Sequence, residues 1–467
     1  MGTGYTSEGN LKDPKAASSL TATNSFNTQY KYSALFGRIN YNYRDKYLLN
    51  LTARRDGSSR FGSANRLHNF GAIGVGWIFS SEDFITRQLK PLSFGKIRAS
   101  YGTTGNDQIT DYGYLALFQP TENVDIPYQG ISTTFPSSPP NPNLQWERTN
   151  KFQVGLDLGF INDRILLGIT YSDNRSSNQL LPYSMPTVTG FSSIPVVNFP
   201  ATIQNTSLEI SLNTTIIKRK SLSWSINSNF TLPKNKVKEF PGIESSTYAQ
   251  ILVIGQPVNV LKTFHYQGVD PQTGLYSFLS KNDPLKPDRQ EDANTFISTF
   301  PKYYGGLAST LTFKGIQFDF LLQFVKQVGQ NFKYFNGSST LPGVFFRGYS
   351  NQPETILNRW HNQGDNDALT GKLGTYSFGE RIDNIYSLLQ SDAVYTDASF
   401  IRLKNVAISW NLPHKWVEKI KSSNIQVYVQ GQNLLTFTSY QGLDPETQTT
   451  FLLPPLRILT TGIRFQF

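Results

Sequence analysis

Four histidines are the first candidates for chemistry in this chain. They stand far apart in the sequence, at His68, His265, His361 and His414. A zinc site needs three or four ligands that converge on one ion, usually with short characteristic spacings. These spacings do not match such a pattern, so the sequence predicts no metal site. His361, beside Trp360, could touch a substrate, but a single loop histidine is usually only solvated.

Two acidic turns could hold calcium. Their sequences are Asp270-Pro271-Gln272-Thr273-Gly274 and Asp444-Pro445-Glu446-Thr447. Calcium loops carry a run of alternating oxygen ligands, which neither segment has. Asp, Pro and Gly at these positions are typical of plain β-turns. We therefore expect two turns without a bound cation.

No catalytic machinery is recognisable. The chain has no cysteine, which excludes a thiolate nucleophile, and it has no nucleophile elbow or phosphate-binding loop. Gly71, Gly74 and Gly76 do not fit a dinucleotide fingerprint, and they indicate a thin, curved strand instead. The sequence predicts no catalytic residue, no cofactor and no enzymatic activity.

Binding is better supported than catalysis. Aromatic side chains in the long polar segments could stack on sugar rings or peptide side chains, although each could equally pack its own loop or a partner. These residues are Tyr128, Phe135, Phe191, Tyr248, Tyr334, Phe335, Phe345 and Phe346. None of them is assigned as a substrate contact, so the binding residues stay unknown.

Composition separates this chain from ordinary soluble and disordered proteins. Of the 467 residues, 16% are charged and 13% aromatic, against roughly a quarter charged in soluble domains. The net charge is +10. The densest block of basic residues, Lys218-Arg219-Lys220, is typical of a turn between strands, so nucleic acid is not the expected partner. No apolar run of about 18 residues predicts a transmembrane helix.

Alternation with a period of two dominates the chain. In residues 151–160 the even positions are Phe, Val, Leu, Leu and Phe, and the odd positions are Lys, Gln, Gly, Asp and Gly. Such segments predict strands with one apolar and one polar face. About fourteen strands are predicted. They begin near Leu35, Tyr47, Gly71, Leu92, Lys151, Ile165, Leu208, Leu222, Val258, Tyr304, Ile316, Phe400, Ile425 and Leu459.

The connections have two lengths. Tight turns are expected at residues 162–164 and 218–221, and long segments at 104–143, 175–204, 234–257, 267–301 and 327–399. Membrane barrels have this asymmetry, with short periplasmic turns and long extracellular loops. The polar face is mostly Asn, Gln, Ser, Thr and Gly, and aromatics stand at strand ends, as at Tyr41, Tyr43, Tyr47, Trp77 and Phe79. These features favour an antiparallel transmembrane barrel over a soluble sandwich or propeller.

The last residues strengthen this prediction. Thr460, Gly462, Phe465 and Phe467 follow the order polar, glycine, apolar and terminal aromatic. That order resembles the C-terminal signal read by the barrel-assembly machinery of Gram-negative bacteria. A final strand with outward aromatics suits a barrel in lipid, whereas a soluble protein would leave it exposed to edge pairing.

Longer stretches resemble the SusC/RagA-type TonB-dependent transporters of Bacteroidetes. They are GWIFSSEDFI from Gly76, LSFGKIRASYGTTGNDQITDYGY from Leu92, NPNLQWERTNKFQVGLDLGF from Asn141, PKYYGGLASTLTFKGIQFDFLLQF from Pro301, NRWHNQGDND around Trp360, DASFIRLKNVAISWNLP from Asp397 and YVQGQNLLTFTSYQGLDPE from Tyr428. The resemblance implies a 22-stranded outer-membrane barrel around a plug domain. A SusD-like surface lipoprotein would cover it, and TonB with ExbB and ExbD would supply energy.

The chain departs from that family pattern at its beginning. Residues 36–43 already look like mid-barrel sequence, so we expect residues 1–467 to be a partial barrel, with a loop or irregular lead-in over residues 1–29. The N-terminal extension, TonB box and plug domain are expected to be missing. The segment Leu453-Pro454-Pro455-Leu456-Arg457 is a looser match to the usual lead into the last strand.

The predicted function is uptake of oligosaccharides or peptides across the outer membrane, without covalent chemistry. Two alternatives stay open. The chain could be a passive outer-membrane pore or adhesin, or a soluble β-rich glycan-binding protein. Membrane lipid, the assembly machinery and the lipoprotein are the expected partners, and the substrate itself is not predicted.

Overall fold

One antiparallel sheet of thirteen strands organises the protein. The structure is a computed structural model that describes residues 2–8, 13–20, 27–120, 134–191, 193–334, 344–345, 352–375, 380–418, 422–449 and 452–466. The strands are β1 (Tyr32–Tyr43), β2 (Tyr47–Ser58), β3 (Leu67–Trp77), β4 (Leu92–Asn106), β5 (Glu147–Phe160), β6 (Ile165–Ser177), β7 (Thr202–Arg219), β8 (Leu222–Glu239), β9 (Tyr303–Phe313), β10 (Ile316–Lys326), β11 (Phe400–Asn411), β12 (Asn424–Thr438) and β13 (Ile458–Gln466).

The sheet is a simple meander. Each strand pairs antiparallel with the strands before and after it, so that β1 and β13 form the two edges. Every other predicted strand start lies within one of these strands. A strand is also present near Val258, but it lies outside the thirteen-stranded sheet. That segment belongs to a separate pair, Val260–Thr263 with Thr295–Ser298, in a long connection. Its short apolar run resembles a sheet strand in composition but not in length.

The outward face of the sheet carries apolar side chains in continuous rows. One such row crosses the sheet from β1 to β12, and each of its residues is paired directly with the next one on the neighbouring strand. The row consists of Tyr43, Tyr47, Trp77, Ile97, Leu156, Ile169, Ile210, Phe230, Gly305, Phe324, Ile401 and Phe437. Gly305 is covered by its neighbours, because the rings of Phe230 and Phe324 lie 6.2 Å apart across it. Large apolar groups on this face, such as Ile97 and Ile401, are exposed to the surroundings.

The opposite face is polar at the same level. The adjacent row runs through Lys96, Asp157, Gly168, Ser211, Asn229, Gly306, Gln323, Arg402 and Thr436. A one-residue slip of register would exchange the two faces, so this pairing fixes which side chains lie on the apolar face and which lie on the polar face. The predicted two-faced sheet is confirmed.

β11 contains a bulge, as the change of apolar phase between Leu403 and Val406 in its sequence predicts. Pairing between β11 and β12 shifts register between Leu403 and Asn405, and pairing with β10 shifts opposite the same place. An extra residue on one strand leaves the ladder locally unpaired and increases the twist. Because the bulge restores the phase, Ile401 and Val406 both stay on the apolar face.

Short turns join the strands at one end of the sheet, at residues 44–46, 161–164, 220–221 and 314–315. Ile161, Asn162 and Asp163 all have positive φ in the predicted turn between β5 and β6. The long connections lie at the other end and form strand pairs of their own. These are Leu117–Pro120 with Thr134–Ser138, Gln179–Ser184 with Ser193–Phe199, Tyr266–Val269 with Tyr276–Phe278, Val328–Gln330 with Tyr395–Asp397, and Val344–Phe345 with Gly374–Thr375. A further pair, Gly2–Thr3 with Ser19–Leu20, precedes β1.

Helices are few and short in the described part of the chain. They are α1 (Asp83–Gln88), α2 (Glu380–Leu389) and α3 (His414–Val417). Among these residues no helix is both long and apolar enough to cross a bilayer. α2 was not predicted, although Ile382, Ile385 and Leu388 repeat every three residues and are buried.

Aromatic side chains gather at the short-turn end, as predicted. The rings of Tyr43 and Tyr47 are 6.3 Å apart and those of Trp77 and Phe79 are 5.9 Å apart. The carboxylate of Glu82 ties the group together. It accepts hydrogen bonds from Tyr47 Oη at 2.7 Å and Trp77 Nε1 at 3.2 Å. Tyr and Trp, with one apolar and one polar end, suit the boundary between lipid and water.

Adjacent positions on β7 test the assignment of the two faces. If the apolar row contacts hydrocarbon, Ile210→Lys should lower the free energy of unfolding by about 2–4 kcal/mol, because a charge near the middle of a bilayer is poorly solvated. Ser211→Lys, one residue along on the polar face, should change it by less than about 1 kcal/mol. Urea unfolding in lipid vesicles measures both. Equal losses from the two substitutions would show that the faces are wrongly assigned.

Candidate functional site

A partly open cavity lies on the inner face of strands β1 to β5. It encloses about 390 Å³, and its inward-facing polar lining includes Asn40, Asn50, Lys96, Arg98, Ser100 and Gln153. Gly74 and Gly76 of β3 occupy inward positions there, and their missing side chains leave the space open. The prediction that these glycines belong to a strand is confirmed. The cavity offers amide, hydroxyl and cationic groups to a polar solute.

Arg98 is held in place across three strands. Its Nε donates to Asp157 Oδ2 at 3.2 Å, and its Nη2 donates to Thr170 Oγ1 at 2.7 Å. The guanidinium lies flat over Gly155, where an added Cβ would be 2.6 Å from Arg98 Cζ. Only glycine allows this approach. The ion pair remains partly hydrated, since both side chains are 35% exposed.

A buried ion cluster lies at the other side of the inner face. Arg402 of β11 is 1% exposed and donates from Nε to Thr436 Oγ1 at 3.0 Å and from Nη1 to Glu446 Oε2 at 2.7 Å. Its Nη2 also donates to Asp444, which is itself buried. Lys404 Nζ completes the cluster at 2.9 Å from Glu446 Oε2.

This cluster fixes the connection between β12 and β13. Asp444 Oδ1 accepts from the backbone N–H groups of Glu446 and Thr447, at 2.9 and 3.1 Å, so one carboxylate binds both its own turn and Arg402. Gln327 Nε2 adds a bond to the carbonyl of Pro445 at 2.8 Å. The connection is therefore attached to the inner face at the end where the long connections lie.

The longest connections share a core of their own. Phe264, Phe278, Ile385 and Leu388 are buried together, with Tyr276 and Ala293. The side chain of Asn384 in α2 is buried at the centre. It accepts from the N–H of Tyr276 at 2.8 Å and donates to the carbonyls of Tyr276 and Leu285 at 2.8 and 2.9 Å.

Tyrosines in this core are kept neutral by burial. Removal from water raises the pKa of Tyr334 to about 12 and raises the pKa of Tyr266 and Tyr276 as well. At neutral pH all three hydroxyls are protonated. They contribute apolar packing and do not act as acids or bases near pH 7.

Two of the predicted loop aromatics pack against connections other than their own. Tyr248 lies 5.2 Å from the ring of Phe199 and donates to the carbonyl of Pro182 at 2.8 Å. Tyr334 packs against the core that contains Phe278. Phe135 is 46% exposed, and Phe191 is half-buried. Tyr128, Phe335, Phe346 and the side chain of Phe345 lie outside the described residues.

The two acidic segments form turns, as predicted. Asp270 Oδ1 accepts from the N–H groups of Gln272 and Thr273 at 3.1 and 2.7 Å, and these bonds lower its pKa, with the Thr273 hydroxyl as the largest cause. Asp444 Oδ1 likewise accepts from backbone N–H groups of its own turn, and Asp444 also binds Arg402. His68, His265, His361 and His414 lie in separate elements, and the described residues contain no group of three or more potential metal ligands.

The predicted C-terminal signal residues lie on β13. Thr460 and Gly462 face inward, whereas Phe465 faces outward and is 54% exposed. Gly462 has a packing reason of its own, because the ring of Tyr428 covers it and an added Cβ would be 2.5 Å from Tyr428 Oη. Phe467 lies outside the described residues. The signal itself stays a prediction.

Sequence reasoning missed the two arginine sites. Arg402 and Glu446 are 44 residues apart in the chain, and nothing local indicates that they meet. Arg98 and Gly155 face each other only because β4 and β5 pair across a long connection. One signal was available, since Arg402 stands at an inward position of an alternating strand.

Comparison with known proteins agrees with this geometry. Residues 1–434 match the family model described as TonB dependent receptor-like, beta-barrel. The chain is 29% identical over 88% of its length to TonB-dependent receptor P3 of Formosa agariphila. It is 28% identical over 96% of its length to TonB-dependent receptor SusC of Bacteroides thetaiotaomicron. The solved RagAB peptide transporter matches 94% of the chain, with 25% identity and a TM-score of 0.78.

A two-faced antiparallel meander is the strand arrangement of transmembrane β-barrels. The chain belongs to the TonB-dependent receptor β-barrel family and is an outer-membrane protein. The relatives are receptors and transporters, in agreement with the prediction that the chain is not an enzyme. The chain spans 42% and 44% of the lengths of the two curated relatives and 48% of the RagAB chain.

The buried cluster gives a prediction. Arg402→Met leaves the carboxylate of Asp444 buried without its cation, which should cost about 3–5 kcal/mol. The amide hydrogens of Glu446 and Thr447 should then exchange at least about tenfold faster, because their acceptor is no longer held in place. Hydrogen exchange with mass spectrometry measures this rate.

Arg98→Met is the matched control. It removes an arginine–aspartate pair on the same face, but that pair is partly hydrated and should contribute less than about 1 kcal/mol. Amide exchange at Glu446 and Thr447 should not change in this variant. If both variants accelerate exchange there equally, Arg402 does not hold the connection.

Proposed function

We propose that this chain forms part of the barrel of a SusC-like TonB-dependent transporter that takes up oligosaccharides or peptides across the outer membrane. The observation that carries the proposal is the division of one thirteen-stranded sheet into an apolar outward face and a polar inward face, in a chain of this family. An inner face with amides, hydroxyls and charges of both signs can bind polar solutes through hydrogen bonds. The solved relative named as a peptide transporter supports peptides as one substrate class.

Further strands complete the barrel in this proposal. β1 and β13 lie at opposite edges of the sheet and are not paired with each other. All residues of β1 are exposed, including Leu35, Phe36 and Ile39. Unpaired backbone groups in hydrocarbon cost several kcal/mol each. This cost disfavours the alternative of a passive pore built from the described strands alone, and a 22-stranded closed barrel around a plug would remove both edges.

Two partners follow from the proposed class. A SusD-like surface lipoprotein would cover the end with the long connections, and TonB with ExbB and ExbD would drive opening from the periplasm. The core around Asn384 offers such a lid a firm base, because it ties residues 264–285 to α2. The soluble alternative would have to cover the whole apolar face of the sheet.

Uptake in the native organism tests the function. Deletion of the gene should abolish growth on one class of oligosaccharide or peptide as the only source, and the intact gene should restore it. Membrane fractionation of the tagged protein, expressed with its native upstream sequence, should place it in the outer membrane. Recovery as a soluble periplasmic protein would refute the proposal, as would unchanged uptake across a panel of both substrate classes.

We also propose that Thr460, Gly462, Phe465 and Phe467 form the signal read by the barrel-assembly machinery. Phe465→Ser with Phe467→Ser should lower the amount of protein in the outer membrane at least about tenfold, because the outward aromatics of the last strand are lost. Quantitative blotting of membrane fractions measures this.

Leu452→Ser with Leu453→Ser is the matched control. These side chains are 61% and 83% exposed and precede β13. The control should leave the outer-membrane level unchanged. Equal levels in both variants would show that the terminal aromatics carry no signal.

A further inference from the structure

A basic cleft opens on the outward face of the sheet, just beyond the apolar rows. It encloses about 640 Å³ between the ends of β6, β7 and β8 and the lead into β9, and its lining includes Tyr171, Thr206, Lys234, Lys236, Phe300 and Lys302. We propose that this cleft binds the phosphorylated headgroup of a lipid in the outer leaflet. The proposal uses the membrane location given by the family and goes beyond transport.

Register fixes the height of the cleft. On the outward face, Leu232 of β8 stands opposite Leu208 of β7, and Leu208 stands opposite Tyr171 of β6. The next outward position of β8 is Lys234, opposite Thr206, and the one after that is Lys236, opposite Gln204. Two residues along a strand advance about 7 Å. The surface therefore changes from apolar to cationic within one headgroup layer.

The cleft exists because β8 is longer than its neighbour. Pairing between β8 and β9 ends at Thr231 opposite Tyr304, although β8 continues to Glu239. Residues 254–256 take up the pairing at Val237, through bonds of 2.8 Å from Val237 N to Gln256 O and from Gly255 N to Val237 O. Between these two contacts the wall of the sheet has a gap, and the cleft lies in that gap.

The lysines are free to bind an anion. Lys234, Lys236 and Lys302 are exposed. Within the described residues, their ammonium groups form no hydrogen bond and no ion pair. The nearby acids are already paired. Asp173 accepts from Arg175 at 2.7 Å and from Gln204 at 2.9 Å, and Glu239 lies 3.8 Å from Lys238. The cleft therefore has an excess of positive charge.

A phosphorylated lipid matches both parts of this surface. Its phosphate oxygens would accept from the three ammonium groups, and its acyl chains would continue along Tyr171, Leu208 and Leu232, which face the bilayer. The long connections of outer-membrane barrels face outside, so the leaflet is the outer one. A soluble anion would use the charge but not the adjoining apolar rows.

Lipid retention tests the proposal. Protein extracted from outer membranes and stripped of lipid in neutral detergent is titrated with diphosphorylated lipid A, and native mass spectrometry measures the bound fraction. The triple variant Lys234→Gln, Lys236→Gln and Lys302→Gln should bind at least about tenfold more weakly, because each cation near a lipid phosphate contributes to affinity. Raising the salt concentration from 0.1 to about 0.5 M should also weaken the binding of lipid A by the wild-type protein.

Three controls separate the causes. The triple variant Lys218→Gln, Lys220→Gln and Lys314→Gln removes the same number of positive charges as the cleft variant, but at the short-turn end. It should not affect lipid binding. Replacement of the three cleft lysines by Arg should retain it. Lipid A with its phosphates removed should bind at least about tenfold more weakly to the wild type. Heat-dependent gel mobility confirms that each variant is folded.

Three results would overturn the proposal. One is equal binding by the wild type and the folded cleft variant. Another is equal binding of phosphorylated and phosphate-free lipid A. Displacement of the lipid by millimolar inorganic phosphate would also contradict it, because the cleft would then take a free anion. Uptake assays are a separate measurement. If the lipid proposal fails, the transport proposal is still decided by its own uptake test.

Discussion

Hydrogen bonding of the backbone in a medium without water is the constraint on which this architecture depends. Each N–H and C=O that meets hydrocarbon must find a partner within the protein. A continuous antiparallel ladder does this with the least chain, since tight turns return each strand directly to its neighbour. The bulge in β11 and the glycines under Phe324 and Tyr428 are local adjustments that keep the ladder intact. The long connections lie at the opposite end of the sheet, where water can hydrogen-bond to the backbone groups of the loops.

Once the ladder is satisfied, the two faces are free to differ. The outward rows need only be apolar, and they tolerate a wide range of aromatic and aliphatic side chains. The inward face instead uses defined contacts between strands. Arg98 lies over Gly155 and binds Asp157 and Thr170, whereas Arg402 is buried and attaches the last connection. These sites show two uses of one residue type. A partly hydrated arginine can still bind a solute, and a buried one is committed to structure.

Much of the sheet could be predicted because alternation is a local signal that each strand carries by itself. The turn at Asn162 and the change of phase in β11 were readable for the same reason. The strand near Val258 is present but lies outside the large sheet, because a short apolar run does not reveal which neighbour it pairs with. α2 was missed because its three-residue repeat is brief and lies in a long polar connection. The contacts of Arg402 with Asp444 and Glu446 depend on how that connection folds back, which spacing alone cannot give. Excluding a thiolate nucleophile, by contrast, needed only residue types, because the chain has no cysteine.

The core around Asn384 couples two of the long connections. One amide side chain joins two distant connections, since it bonds Tyr276 and Leu285 from its place in α2. Its partners are all within the long connections and none is in β1 to β13. The two connections are separated in the chain by β9 and β10, so a change in the length or packing of one must be matched by a change in the other. The loops at this end of the sheet are therefore coupled to each other through one buried amide, independently of the alternating strands beneath them.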